Sequence, residues 1–136
     1  MDLILLFHIL YYLSPSEQKE LIKNMHEHWL TAKGFAVIVS ASAGNALGIY
    51  ERLGKALVAW KDIEADMMEA GFIKQRAYDM QLVEDFSDPD ESFLRIVKYV
   101  VDRPLTLDEL RAAVKEMCPE SKKNVYYRLA VFASCH

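Results

Sequence analysis

Four residues near the start of the chain carry much of its chemical potential: Phe7, His8, Tyr11 and Tyr12. An imidazole exchanges protons near neutral pH. Tyrosine ring faces can hold a cation and their hydroxyls can orient a polar group. Brought together, these groups would suit a small polar or cationic molecule. The same residues also fit a blander arrangement, in which His8 is hydrogen-bonded at the edge of the core and the tyrosines cover the end of a sheet. On residue types alone both arrangements stay open.

A second stretch, Ser40-Ala41-Ser42-Ala43-Gly44, could offer hydroxyls and backbone N–H groups to a ligand, or simply make a tight connection. Other candidates fall away on spacing. His26 and His28 stand two apart on a helix, on different faces, so they do not chelate one metal as an i, i+4 pair would. A solvated face is the expectation there. Asp88, Asp90 and Glu91 form a dense acidic group that helix capping accounts for. Met67-Met68 reads as core. There is no GxSxG element and no cysteine–histidine constellation.

What must position these residues is read from the hydrophobic pattern. Leu3-Ile4-Leu5-Leu6-Phe7 is apolar without alternation, which predicts a strand buried on both faces, as in a parallel sheet. Ser14-Pro15-Ser16-Glu17 is a capping box that opens a helix, with Leu21, Ile22, Met25 and Trp29 at helical spacing. Lys33-Gly34 turns the chain into a second apolar run from Phe35 to Ser40. Strand, capped helix and strand make a βαβ unit with a right-handed crossover. Ligands of open α/β sheets bind outside the carboxyl ends of parallel strands. Those ends are the Phe7–Tyr12 stretch and the Ser40–Gly44 stretch.

Beyond them, Ala46, Tyr50, Leu53 and Leu57 share one face of a predicted helix. Ile63, Met67 and Ala70 mark a short helix that stops at Gly71. Residues 72–83 read as a strand of mixed polarity near a sheet edge. Capping boxes at Asp88-Pro89-Asp90-Glu91 and Thr106-Leu107-Asp108-Glu109 open two more helices. The first would turn Phe93, Ile96, Val97 and Val100 inward; the second, Leu107, Leu110, Val114 and Met117. A last strand over residues 125–135 can pair antiparallel with the strand over 72–83. The fold class is therefore α/β: two parallel strands and an antiparallel terminal pair, flanked by helices.

Composition narrows the function. The 136 residues are 52% hydrophobic and 26% charged, enough to bury a core within a single domain spanning 1–136. The net charge is −4 with no clustered Lys and Arg beyond Lys122-Lys123, which argues against nucleic acid. Residues 3–13 are far short of the roughly 20 that a membrane span needs. Asp2 stands where a signal peptide would carry basic residues. Cys118 and Cys135 fit no disulfide or zinc pattern, so reduced thiols in a cytoplasmic protein are expected.

The opening Asp2-Leu3-Ile4-Leu5-Leu6-Phe7-His8-Ile9-Leu10-Tyr11-Tyr12-Leu13 resembles the fourth strand and following turn of class I S-adenosylmethionine-dependent methyltransferases. With the capped helix and Gly34-Phe35-Ala36-Val37-Ile38-Val39-Ser40-Ala41-Ser42-Ala43-Gly44, it looks most like the histamine N-methyltransferase group. The likeness runs along nearly the whole chain but matches the second half of that family's domain. It implies the C-terminal half of a Rossmann-like sheet. It also implies methyl transfer from S-adenosylmethionine to a small amine, with Phe7 flanking the cofactor and His8, Tyr11 and Tyr12 lining the substrate pocket. The group has a glutamine where His8 stands, tryptophans around Asn45 and Ile49, and an asparagine near Arg128, so the resemblance implies a small amine, with another amine as good a candidate as histamine itself.

In this resemblance the glycine-rich turn and ribose-binding acid of the cofactor site belong upstream of Met1, so weak or no cofactor binding is expected of the chain alone. The exposed edge of its first strand would then be a place for self-association. Two other readings compete. One is a degenerate, non-enzymatic half-domain that binds a partner protein through that edge. The other is an unrelated small α/β binding domain with its pocket at His8 and Tyr11. A reading frame upstream that encodes a strand and Gly-x-Gly would exclude the first of these.

Overall fold

The computed structural model describes residues 1–44, 52–53, 59–85, 89–101, 103–117 and 122–135, with the side chains of Tyr11 and of residues 42–44, 84–85 and 122–124 left aside. The elements run β1 (Leu3–Phe7), α1 (Pro15–Asn24), β2 (Phe35–Gly44), α2 (Trp60–Glu69), β3 (Phe72–Asp85), α3 (Glu91–Val101), α4 (Leu107–Met117) and β4 (Lys122–Ser134). The four strands form one sheet in the order β1-β2-β4-β3. β1 and β2 are parallel, with Leu3 opposite Phe35 and Phe7 opposite Val39. The last strand enters between β2 and β3. Its Ser134 N–H donates to Gly34 O at 2.9 Å, so the end of β4 meets the start of β2 and the two run antiparallel. The predicted α/β class, with parallel strands joined to a terminal pair, is the observed one.

The chain divides into two compact units. The first, residues 1–42, 58–80 and 127–136, holds the β1–α1–β2 unit and α2. Its core gathers Leu6, Leu10, Ile22, Met25, Ile38, Trp60, Ile63, Met67, Phe72 and Phe132. Full burial of such side chains contributes about 1.5–3 kcal/mol each. The second unit, residues 43–57 and 81–126, packs α3 against α4 through Leu94, Val97, Val100, Leu110 and Val114. Its Arg111 donates from Nη1 to Pro89 O at 2.9 Å.

The caps show how local sequence sets these elements. The Ser14 hydroxyl accepts from Glu17 N–H, and the Glu17 carboxylate accepts from Ser14 N–H at 2.7 Å, with Pro15 at the first helical position. Thr106 and Glu109 close the same reciprocal box on α4. At α3 the cap differs from expectation. Asp90 Oδ1 accepts from Phe93 N–H at 2.7 Å, so Asp90 caps the helix, while Asp88 lies outside the described residues. The helix phase follows: Leu94 is buried, whereas Ile96 is exposed and Phe93 half-buried.

Three further expectations are corrected. β1 is not buried on both faces: Leu3, Leu5 and Phe7 are 51%, 54% and 54% exposed, while Leu6 on the other face is buried. The small-residue stretch after Ser40 is not a loop, because β2 continues to Gly44. The helix after Asn24 becomes a π turn over Met25–Trp29, closed by Leu30 N–H to Met25 O. The extra residue in that turn shifts the helical phase. Met25 and His26 both go inward, and Trp29, expected in the core, stays exposed. His26, expected on a solvated face, packs edge-on to Phe72, with ring centroids 5.0 Å apart.

Gly71 ends α2 with φ +105°, as a C′ glycine does, and a Cβ there would lie 3.0 Å from the His26 ring. Met67 is buried, but Met68 is exposed rather than core. β3 lies at the sheet edge and is exposed along residues 73–83. The helix predicted over Ala46–Leu57 lies, apart from residues 52–53, outside the described residues.

Candidate active site

The carboxyl end of β1 is built from two adjoining turns. β1 stops because His8 adopts φ +53°, a left-handed conformation uncommon outside glycine, although histidine is among the residues that tolerate it better. The His8 N–H still donates to Val39 O at 2.9 Å, which ties the turn to the neighbouring strand. A 3-10 turn over Leu10–Tyr12 follows, anchored by the buried Leu10 and leading into the Ser14 cap. A backbone held in a sparse conformation at a strand end is where strain and function often coincide.

Of the residues singled out from the sequence, Phe7, His8 and Tyr12 are all exposed at this end. The Tyr11 side chain lies outside the described residues. His8 has a partner that sequence reasoning missed. Its ring meets Tyr127 edge to face, with centroids 5.1 Å apart and planes at 81°. Tyr127 comes from β4, whose antiparallel course returns the early part of that strand to the carboxyl ends of β1 and β2. The alternation of β4 was the available signal. Ala130, Phe132 and Ser134 point into the core, so odd-numbered neighbours such as Tyr127 point the other way.

Arg128, the approximate counterpart of a substrate-binding asparagine in the resemblance, is held by acidic neighbours. Its Nε donates to Asp79 Oδ1 at 2.9 Å, its Nη1 lies 3.6 Å from Glu64 Oε1, and its Cζ stands 5.8 Å from the Trp60 ring centre. The hydrogen bond to Asp79 holds the guanidinium protonated more firmly than usual. Lys74 completes the group with Glu64 at 3.3 Å. The second candidate stretch is partly closed: Ser40 is buried, and its carbonyl accepts from Trp60 Nε1 at 3.2 Å. The Ser42 side chain lies outside the described residues.

Chemically, the β1 end offers aromatic faces at Phe7, Tyr12 and Tyr127 that can hold a positive charge, beside an imidazole that can exchange a proton. Among the described residues no group of three His, Cys, Asp or Glu side chains could hold a metal ion. No described helix is long and apolar enough to cross a membrane. Cys135 is exposed, and Cys118 lies outside the described residues.

Solved structures share this fold. A protein from Bacillus halodurans assigned as a methyltransferase superposes with a TM-score of 0.66 at 11% identity, over 98% of this chain and 70% of its own. The fold is that of class I methyltransferases. A protein from Galdieria sulphuraria assigned as a sarcosine dimethylglycine methyltransferase gives 0.56 at 12% identity, over 98% and 53%. The mycolic acid cyclopropane synthase CmaA1, complexed with S-adenosylhomocysteine, gives 0.59 at 7% identity, over 98% and 55%. The chain thus spans little more than half the length of these last two. No family model and no curated protein matches the sequence. Methylation and cyclopropanation on one fold show that the fold alone does not set the reaction.

Proposed function

We propose that the chain serves methyl transfer from S-adenosylmethionine to a small amine. The acceptor would sit at the carboxyl end of β1 against His8, Tyr11 and Tyr12, with Phe7 beside the cofactor. The observation that carries this reading is the exposed Phe7-His8-Tyr12 group at a strand's carboxyl end in a methyltransferase fold, with the His8 turn tied to Val39 and its ring set against Tyr127. The absence of a cysteine pattern for disulfides or zinc is in keeping with a cytoplasmic setting.

When bound, the cofactor supplies a methyl group on a sulfonium, which an amine nitrogen takes by direct displacement. The amine must be neutral to attack, and it carries a surplus proton once methylated. His8 is the group of this site able to take that proton. Tyr11 and Tyr12 orient the nitrogen, and the aromatic faces favour the positive charge as it moves from sulfur to nitrogen. Phe7 is the single contact with the cofactor in this reading. The 136-residue chain is therefore expected to hold S-adenosylmethionine weakly, with a Kd on the order of 1 mM or above.

Calorimetry and thermal melts of the chain and its variants test the reading. His8→Ala and Tyr12→Ala should weaken binding of small amines while leaving the melting temperature within a few degrees. Loss of fold and of binding in equal measure would leave these residues a packing role alone.

A further inference from the structure

The imidazole of His8 lies on the face of the sheet opposite to the one its place in the chain would give it. Strand alternation would set His8 on the side of Ile4 and Leu6, toward the core. The register agrees. Phe7 stands opposite Val39, so an unbroken β1 would bring His8 opposite Ser40, whose side chain is buried. Instead His8 is exposed and its ring meets Tyr127.

Tyr127 belongs to the other face. Ser134 N–H donates to Gly34 O, and counting back along that antiparallel pair sets Arg128 opposite Ser40 and Tyr127 opposite Ala41. Arg128 turns to Trp60 and Glu64 of α2, so its neighbour Tyr127 turns away from them. What carries His8 across is its φ of +53°, which breaks the alternation at that one residue. The bond from His8 N–H to Val39 O, at 2.9 Å, holds the turn in place.

The backbone alone does not fix the ring. An exposed imidazole rotates about two side-chain torsions, whereas a proton acceptor must come within about 2.6–3.2 Å of the proton's parent atom. The Tyr127 ring supplies that restraint. The planes stand at 81° with centroids 5.1 Å apart, an edge-to-face geometry that aromatic pairs favour. Tyr127 is half-buried on a strand flanked by β2 and β3, so it is the fixed member of the pair. Both residues, and the part of β2 between them up to Ser42, lie in the first unit.

We infer that Tyr127 is a positioning residue of the amine site: it holds the His8 imidazole in place and acts on the acceptor through His8. That role presupposes the acceptor site proposed at the end of β1. The contact is one between rings, so phenylalanine can replace Tyr127 and an aliphatic side chain cannot.

Nuclear magnetic resonance on the isotope-labelled chain tests the contact and its consequence separately. In the unaltered protein, Overhauser contacts between the His8 and Tyr127 ring protons are expected. Tyr127→Leu should move the His8 ring resonances toward those of an unrestrained histidine, and Tyr127→Phe should restore them. Tyr127→Val, β-branched and suited to a strand, should repeat the leucine result through a second side chain. Titration with ethanolamine, benzylamine and histamine then reads binding. Tyr127→Leu should weaken it about 3- to 10-fold, and Tyr127→Phe should rescue it to within about twofold. Added to His8→Ala, Tyr127→Leu should weaken binding no further, because the two residues act as one unit. Missing ring contacts in the unaltered chain, binding that neither aliphatic variant changes, or an equal loss with and without His8 would each overturn the positioning role. An unaltered chain that binds none of the three amines at concentrations on the order of 10 mM, with the ring contacts present, would instead overturn the acceptor site and the role of Tyr127 with it.

Discussion

The two faces of the β1–β2 pair are made from alternate residues of the same strands, yet they have opposite fates. On one face Leu6, Ala36 and Ile38 are at most 7% exposed, within a core that draws on α1 and α2. On the other, Leu3, Leu5, Phe7 and Phe35 are 43–54% exposed. Hydropathy does not separate them, because the named residues of both faces are apolar. Burial does. The covered face holds the first unit together, and the open face is surface that this chain leaves available beside the strand end carrying His8.

Substitutions sharpen the contrast. Phe132→Ala, in the fully buried set, should cost about 3–5 kcal/mol in a urea-unfolding experiment. Gly71→Ala should cost about 1–3 kcal/mol, since it forces a side chain into a positive φ and against the His26 ring. Replacing His26 with alanine in the same chain should recover the steric part of that loss and leave the backbone part. Ser14→Ala removes a capping oxygen and should cost about 1 kcal/mol. Leu5→Ala, on the open face, should fall within about 0.5 kcal/mol. A loss at Leu5 approaching that at Phe132 would break the comparison and show the open face to be covered.

Much of this was legible in the residues. The Ser14 and Thr106 boxes, the βαβ unit and the stop at Gly71 are local signals, and local chemistry decides them. What escaped notice depends on contacts distant in sequence or on phase. The apolar run at β1 reads as two buried faces because hydropathy records what a strand could bury and not what its chain brings to cover it. The π turn at Met25 exchanges the places of His26 and Trp29, and no residue type announces the inserted residue. At α3 the sequence offers two aspartates as caps, and Asp90 accepts the Phe93 N–H.

At the candidate site, His8, Phe7 and Tyr12 were singled out by the strand-end rule, and all three are exposed at the end of β1. Tyr127 was missed because its place beside His8 depends on where β4 enters the sheet. Arg128, its neighbour, points by strand alternation to the Glu64 and Asp79 carboxylates instead.

The measurement closest to the central claim is a nuclear magnetic resonance titration of the isotope-labelled chain with S-adenosylhomocysteine and then with small amines. The account predicts weak, saturable shifts confined to Phe7, His8, Tyr11, Tyr12 and Tyr127, with the amine adding to those that the cofactor product begins. Shifts centred elsewhere, or none at these residues at millimolar ligand, would contradict a methyl-transfer site at the end of β1.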